Sequence, residues 1–516
     1  MLWLLLAPLL AGIIASFFIE RRLTPRPIFV LKRALAAQQL HFGSWFALFA
    51  LLLLVVQRPW FAVVLLLAFQ ALLVLVNHAK YDTLREPFIF QDFEYFTDAL
   101  KHPRLYLPFF GIARTVIATL SFVTALIIGL TLEPPITTTI GLMPAVLIGL
   151  ILVGLAGLWL HLGLKNCPPI RLEPVQDLQQ LGQSAFFWAY WQAERQTVID
   201  TSHSLFNDVS SKISAHGTDT DIVVVQSESF FDPRSLSPSI KSEVLAHFDQ
   251  LKTEARHCGR LHVPAWGANT VRTECGFLTG LTPQQLGIHQ FNPYRSMARQ
   301  NVPNLVRLLK NAGYRTIAIH PYPASFYLRD QVFPRLGFDE FIDIQGFAEQ
   351  DKEGQYISDS AVTQKLVDLL TSRVDTNDAL PLFIFVITME NHGPLHLEKA
   401  EQSDVERYYH HPPVPGCEDL TVYLRHLKNA DVMIKTLKTC LQQNSESGRA
   451  GLLCWFGDHV PIMTQVYQQL GEPDGGTDYL IWQSGGIQQK KTSHQNLAVH
   501  ELTQLVLSEL MGMTRN

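Results

Sequence analysis

The chain reads as an α-helical transmembrane part of about five helices followed by an α/β domain with a central, mostly parallel sheet. Two observations predict this. Residues 1–165 are dominated by apolar runs without a charged side chain, whereas residues 166–516 have the composition of a soluble globular domain. From Thr220 onward, short apolar strands alternate with amphipathic helices, the pattern of a parallel sheet covered on both faces. With 516 residues the chain has room for more than one domain. The expected division is a transmembrane part over 1–165, a helical connector near the membrane over 166–218, and a soluble domain over 219–516.

The apolar runs are Leu2–Ile19, Phe42–Gln57, Trp60–Val76, Thr115–Leu132 and Ile136–Leu160. Most approach the roughly 20 residues a helix needs to cross the hydrocarbon core; the second is the shortest. The first run lacks a charged segment before it and a clear small-residue cleavage site, so it reads as an uncleaved helix rather than a secretory signal. Pro168, Pro169 and Pro174 break the last membrane helix, and Val175–Thr201 reads as helix near the membrane. In the soluble part, Ile222–Gln226, Arg315–His320, Leu382–Met389 and Gly451–Phe456 read as strands. Val302–Ala312, Ser358–Thr371, Asp419–Leu441 and His500–Met511 read as helices. In such sheets ligands bind beyond the carboxyl ends of the strands.

Those ends carry chemistry. The first strand ends at Glu228, the second at His320-Pro321-Tyr322, the third at Glu390-Asn391-His392-Gly393 and the fourth at Asp458-His459. Glu228, Asp458 and His459 are the carboxylate and imidazole ligands that a hard or borderline divalent cation prefers. Singly, each is equally well a helix-start acid or a polar loop exit; together they suggest a metal site. Thr270, in Trp266-Gly267-Ala268-Asn269-Thr270, is the candidate nucleophile, because a threonine hydroxyl is nearly inert until a metal lowers its pKa. The plainer alternative is that Thr270 caps the helix that follows, a start that also offers N–H groups to a phosphate. Thr273 is a rival nucleophile. Arg329 is a candidate anion clamp, since guanidinium pairs with phosphate in bidentate fashion, or else a surface partner of Asp330. His392 is a candidate substrate ligand or acid, or else a turn histidine, and His320 is similar.

These residues resemble the lipoteichoic acid synthase and phosphoglycerol transferase family, within the alkaline phosphatase and sulfatase superfamily. The resemblance rests on five ordered motifs: Ser227-Glu228-Ser229-Phe230; Gly267 to Thr270 with Thr273-Glu274 and Leu278-Thr279-Gly280; His320 through Arg329 with Gly337-Phe338-Asp339; Met389 to Pro394; and Phe456-Gly457-Asp458-His459. It implies a sulfatase-like catalytic domain in which Thr270 is the nucleophile and joins Glu228, Asp458 and His459 around one divalent metal. Manganese is the first choice, with magnesium or zinc as alternatives. It further implies that Tyr327, Arg329 and His392 contact glycerol phosphate. That group would pass from phosphatidylglycerol to an extracytoplasmic glycan or glycerol phosphate acceptor through a covalent threonine intermediate. Gln226 stands where some members carry a substrate-binding His, and Tyr327 where some carry Trp.

Other readings stay open. A phosphoethanolamine transferase shares the fold and the threonine nucleophile. A sulfatase needs Cys or Ser for conversion to formylglycine, which Thr270 cannot undergo. A membrane sensor or scaffold with an inactive domain would be expected to have lost metal ligands, and this chain keeps them. A net charge of −5 gives no indication of nucleic acid. The six cysteines form no CxxC, one or two disulfides are allowed in an oxidising compartment, and Cys454 reads as a buried thiol. The resemblance places the chain in the bacterial cytoplasmic membrane with its catalytic domain outside. Arg21, Arg22, Arg26, Lys32 and Arg33, together with Lys80, Arg85, Lys101 and Arg104, point the other way by the positive-inside rule. Either one span is miscounted, or these loops lie on the outer face. The alternation of charge with Phe88, Phe90, Phe93, Tyr95 and Phe96 over Arg85–Arg104 suits an interface.

Overall fold

The computed structural model describes residues 3–96, 112–206, 220–376, 380–485 and 492–513. The chain divides into two compact units, Met1–Thr197 and Val198–Asn516.

The first unit is helical: α1 (Trp3–Glu20), α2 (Leu35–Val56), α3 (Pro59–Leu84), α4 (Ile112–Leu132), α5 (Leu142–Lys165), α6 (Pro174–Leu181) and α7 (Gln183–Gln196). Among the described residues, five stretches are long and apolar enough to cross a membrane. α2 packs along α5 and α1 along α3, while α7 lies on α2. α2 starts seven residues before its apolar run, so the shortest expected span is a full 22-residue helix. The run from Ile136 to Leu160 is not one helix, because Gly141 adopts φ +83° and breaks it. Val175–Thr201 is likewise two helices. Gly182 between them has φ +72°, and a Cβ there would lie 1.8 Å from Arg33 Nη1. Two of the cations counted for orientation are neutralised. Arg33 is buried against Glu20 at 2.6 Å, and Lys80 sits 2.6 Å from both Glu86 and Asp92. Lys101 and Arg104, and with them the end of the Arg85–Arg104 interface segment, lie outside the described residues, as does 207–218 of the expected connector.

The second unit is built on strands β1 (Asp221–Ser227), β2 (His257–His262), β3 (Arg315–Ile319), β4 (Glu340–Ile342), β5 (Leu382–Ile387), β6 (Gly451–Gly457) and β7 (Thr477–Gln483). They are ordered β2-β7-β6-β1-β5-β3-β4, with two-residue strands at 493–494 and 497–498 on the outer side of β2. The run β6-β1-β5-β3-β4 is parallel, and β7 is antiparallel to both neighbours. All seven residues of β1 are buried. Its alternate side chains feed two cores, Val223 and Val225 on one face, Ile222 and Val224 on the other. Each such side chain stabilises the fold by roughly 1.5–3 kcal/mol relative to exposure.

Helices cover both faces. The first core takes in α11 (Asp359–Thr376) and α12 (Glu418–Glu446), through Val362, Leu366 and Leu427. The second takes in α8 (Thr270–Thr279), α9 (Leu305–Asn311), α10 (Arg329–Leu336) and α13 (Val499–Met513), through Val271, Leu305, Phe333 and Val506. All six cysteines are free, and Cys454 is buried. The consequence for function is that β1, β3, β5 and β6 run parallel side by side and deliver their carboxyl ends to one rim.

Candidate metal and nucleophile site

Three of the predicted residues converge. Donor atoms of Glu228, Asp458 and His459 lie within 4.8 Å of one another, and all three residues are buried. His459 Nε2 stands 3.6 Å from Glu228 Oε1 and 3.3 Å from Asp458 Oδ2. β1 and β6 are adjacent, with Ser227 in register with Gly457, so the acids that follow each strand must meet. Gly457 is required there: a Cβ would lie 1.9 Å from Phe230 O, on the loop that carries Glu228.

Backbone and hydroxyl groups fix the set. The Glu228 N–H donates to Thr388 Oγ1 at 2.9 Å. Ser229 sits at φ +53°, in the left-handed region, where a non-glycine residue is uncommon. From there its N–H donates to Asp458 Oδ1 at 2.9 Å and its hydroxyl to Glu228 Oε1 at 2.8 Å. His459 Nδ1 donates to Val460 O at 3.1 Å, which leaves Nε2 with its lone pair free.

The cluster fits a cation. Asp458 Oδ2 and His459 Nε2 are shielded from solvent and have no hydrogen-bond partner, and such orphaned atoms in a native interior call for an unseen partner. Burial pushes the Glu228 carboxyl up to about 8, and the charge of Asp458 adds to that. Two carboxylates and one imidazole suit a hard or borderline divalent ion.

Thr270 is the first residue of α8, and Asn269 before it takes φ +66° without a side-chain cap. Thr270 is therefore not the cap, and its hydroxyl bonds to no other described residue. Two hydrogen bonds flank it and hold it against the Asp458 loop: Gly267 N–H to Val460 O at 3.1 Å, and Thr273 Oγ1 to Asp458 O at 2.8 Å. The second of these ties up the rival hydroxyl of Thr273.

Arg329 does not sit on the surface with Asp330. It is 1% exposed and pairs with Glu274, its Nε lying 3.2 Å from Oε2 and its Nη2 against Oε1. Tyr294 donates its hydroxyl to the same carboxylate at 2.8 Å. Arg329 Nη1 donates to His320 Nε2 at 3.1 Å, and His320 Nδ1 donates to Ile387 O at 3.2 Å. Burial and the Arg329 charge hold His320 well below the ordinary imidazole range. The Tyr327 ring, on a φ +57° residue, lies 5.4 Å from the guanidinium. Glu274 is four residues beyond Thr270 on α8, so this second cluster hangs from the nucleophile's own helix.

His392 donates Nδ1–H to Gly393 O at 2.6 Å, and Tyr356 donates its hydroxyl to the same carbonyl at 3.1 Å. Burial lowers the His392 pKa, while the charge of nearby Asp458 acts in the opposite direction. Both amide atoms of Gln226 are buried without a partner.

Three contributors escaped the sequence reading. Ser229 was visible only as a neighbour of Glu228. Glu274 could have been found from its i+4 spacing to Thr270. Tyr356, in a two-residue strand, carried no signal.

A parallel sheet whose strand ends gather a buried carboxylate–carboxylate–imidazole set beside a free hydroxyl at a helix start places the domain among enzymes of phosphate and sulfate esters. Residues 220–513 match the family described as Sulfatase, and the chain belongs to that family. A curated relative, the capsular polysaccharide biosynthesis protein RkpI of Rhizobium meliloti (strain 1021), is 26% identical over 444 residues, 82% of this chain and 77% of the relative. The chain spans only 44% and 49% of the length of two further curated relatives. Two solved structures share similarity at 20% identity. One is the phosphoglycerol transferase GacH from Streptococcus pyogenes in complex with sn-glycerol-1-phosphate (63% of this chain, 83% of that one, TM-score 0.46). The other is the lipoteichoic acid synthase LtaP from Listeria monocytogenes (59% and 77%, TM-score 0.45).

Proposed function

We propose that the protein transfers glycerol phosphate from phosphatidylglycerol to a glycan acceptor outside the cytoplasmic membrane, through a covalent Thr270 intermediate. The observation that carries this is the unpaired Thr270 hydroxyl, held by Gly267 and Thr273 against the loop of Asp458 and His459. Threonine cannot become formylglycine, so family membership does not bring sulfatase chemistry. A glycan acceptor is supported by the name of RkpI.

Glu228, Asp458, His459 and Thr270 would hold one divalent cation, with manganese proposed. When bound, it supplies the positive charge that makes the threonine hydroxyl acidic and offsets charge on phosphate oxygens. In the first step Thr270 Oγ1 forms a bond to phosphorus and the bond to the diacylglycerol oxygen breaks. His392, whose Nδ1–H is held by Gly393 O, takes the threonine proton on Nε2 and returns it to that leaving oxygen. In the second step the acceptor oxygen forms a bond to phosphorus and its proton passes to His392, the Thr270 Oγ1–phosphorus bond breaks, and the proton returns to Thr270 Oγ1. The N–H groups at the start of α8 orient the phosphate, and Tyr327, whose ring lies 5.4 Å from the Arg329 guanidinium, contacts the glycerol.

The test incubates the full chain in detergent with manganese and either labelled phosphatidylglycerol or labelled phosphatidylethanolamine. Diacylglycerol release from the first, lost by at least a thousandfold in Thr270→Ala with the unfolding temperature unchanged, is expected. Release only from phosphatidylethanolamine makes the protein a phosphoethanolamine transferase. Undiminished release by Thr270→Ala overturns the mechanism.

A further inference from the structure

The segment that carries His392 is closed by a single side chain. After β5 the chain passes through Thr388, Glu390, His392 and Gly393 to a short turn at Leu395–Leu397 and then to Glu398. Eight residues of extended chain reach about 26 Å, yet Glu390 and Glu398 meet on two edges of one ring. His426, on α12, donates Nδ1–H to Glu390 Oε1 at 2.9 Å and Nε2–H to Glu398 Oε2 at 3.1 Å. Carboxylates accept and do not donate, so the ring between them carries both protons and is an imidazolium. The side chains of His426 and Glu390 are completely buried, where a charged pair is far less screened than at a surface.

Further bonds hold the same two ends. Asn429, three residues beyond His426 on α12, donates to Glu390 Oε1 at 2.6 Å, and the Asp359 N–H donates to Glu390 Oε2 at 2.6 Å. Arg425 donates to Glu398 Oε2 at 3.0 Å. Between the ends the 352–357 hairpin gives lateral support: Tyr356 donates to Gly393 O at 3.1 Å and Gln355 to Pro394 O at 3.2 Å. Just before the first pinned end, Thr388 Oγ1 accepts the N–H of Glu228. His392 Nδ1 bonds to the carbonyl of its own neighbour, Gly393, so the ring goes where the segment goes. The closed segment thus carries one imidazole to the rim and ties its position to α12.

We propose that His426 is a positioning residue of the active site: its doubly donating ring staples Glu390 to Glu398 and thereby fixes the segment that presents His392. The staple stands on the geometry alone; its effect on turnover rests on the proposed transfer, in which His392 moves the proton. An unprotonated imidazole donates from one nitrogen only, so one end of the segment is released when the ring loses its proton. The group is pushed up to about 9 by its two acceptors against the effect of burial. The other charged and titratable groups around this network are Asp359 and Glu353, from the elements packed on α12, and Arg425 with its second partner Asp404.

The test compares the full chain in detergent as wild type, His426→Gln and Glu398→Ala, the last a milder variant that keeps the bond between His426 and Glu390. Amide hydrogen exchange is read by mass spectrometry, and diacylglycerol release from phosphatidylglycerol with manganese is followed from pH 7 to 9.5. Exchange over 389–398 is expected to quicken at least tenfold in His426→Gln, and over 395–398 in Glu398→Ala, with the β6 peptide unchanged. kcat should fall about tenfold in His426→Gln at pH 7, the cost of a misplaced acid–base group. Because wild type loses its own staple as pH rises, the ratio of wild type to His426→Gln should shrink to about threefold at pH 9.5. A purely structural role for His426 gives a ratio that stays constant with pH, and that result overturns the proposal. So does exchange over 389–398 that is unchanged in both variants, or quickened exchange with undiminished kcat. A wild type that releases no diacylglycerol refutes the transfer, and the exchange data then decide the staple by themselves.

Discussion

Replacing Glu274 by Gln should be among the most damaging single changes in the soluble unit, and adding Arg329→Met should repair most of it. The wild-type pair is fully inside the protein, at 0% and 1% exposure, and the carboxylate accepts from Arg329 Nε and Nη2 and from the Tyr294 hydroxyl. Gln keeps the volume but turns an N–H donor toward a donor-only guanidinium, so a buried cation is left without its counter-charge. Breaking such a pair from one side costs about 3–5 kcal/mol, whereas exchanging both partners for apolar groups of similar size is close to neutral. At the usual entropy of unfolding the single variant should therefore lose on the order of 10 °C. The assay is thermal unfolding of the full chain in detergent for wild type, Glu274→Gln, Arg329→Met and the double variant. A coupling of at least about 2 kcal/mol in the cycle is expected. A loss below about 2 °C in Glu274→Gln, or a double variant as unstable as the sum of the singles, refutes the assignment of Glu274 as the internal partner of Arg329.

Two further outcomes follow from the same geometry. Ser229→Ala removes the hydroxyl that steadies Glu228 but keeps the backbone bond to Asp458, so manganese affinity by titration calorimetry should fall about 10- to 100-fold with the fold intact; unchanged affinity would show that Ser229 does not orient the ligand. Burial pulls the His426 imidazole down, but the hydrogen bonds it donates to Glu390 at 2.9 Å and Glu398 at 3.1 Å outweigh it and push the group up to about 9. A raised folded pKa gives stability that is complete below the unfolded value near 6.5 and is lost as pH climbs through 9, here about 3 kcal/mol. The unfolding temperature should decline from pH 6.5 to 9.5 in wild type and stay flatter in His426→Gln, and parallel curves would contradict the ion-pair account.

The parallel core was legible because its strands are buried on both faces and therefore read as unbroken apolar runs: Ile222–Gln226 and Gly451–Phe456 are β1 and β6 to within a residue or two at each end. β2 was missed for the opposite reason. His257–His262 carries two His and an Arg at the margin of the sheet, where one face meets solvent, and its identity depends on the antiparallel partner. The candidate metal residues were legible as acids and a histidine at strand ends, since adjacency of β1 and β6 brings two such ends together. The partner of Arg329 was not, because pairing between residues 55 positions apart is decided by how α8 and α10 pack, and sequence offers Asp330 as the nearer candidate.

The charge pattern around the rim argues for where a cation belongs. Arg329 and Glu274 cancel each other. Glu390 has His426 as its counter-charge, and Glu398 is shared between His426 and Arg425. Asp359, beside Glu390, is held well above the ordinary carboxyl range by burial and by that neighbour. Among the described residues, Glu228 and Asp458 face each other across the His459 imidazole, with Asp458 Oδ2 and His459 Nε2 lacking a hydrogen-bond partner. A protein interior tolerates two close carboxylates only by protonating one or by binding a positive charge between them. Gly267 and Thr273, on either side of Thr270, bond to the Val460 and Asp458 carbonyls, so the start of α8 is tied to the loop that carries that charge. Arg329, Glu274, Glu390 and Glu398 each have an ion-pair partner, which concentrates the demand for a cation at Glu228, Asp458 and His459.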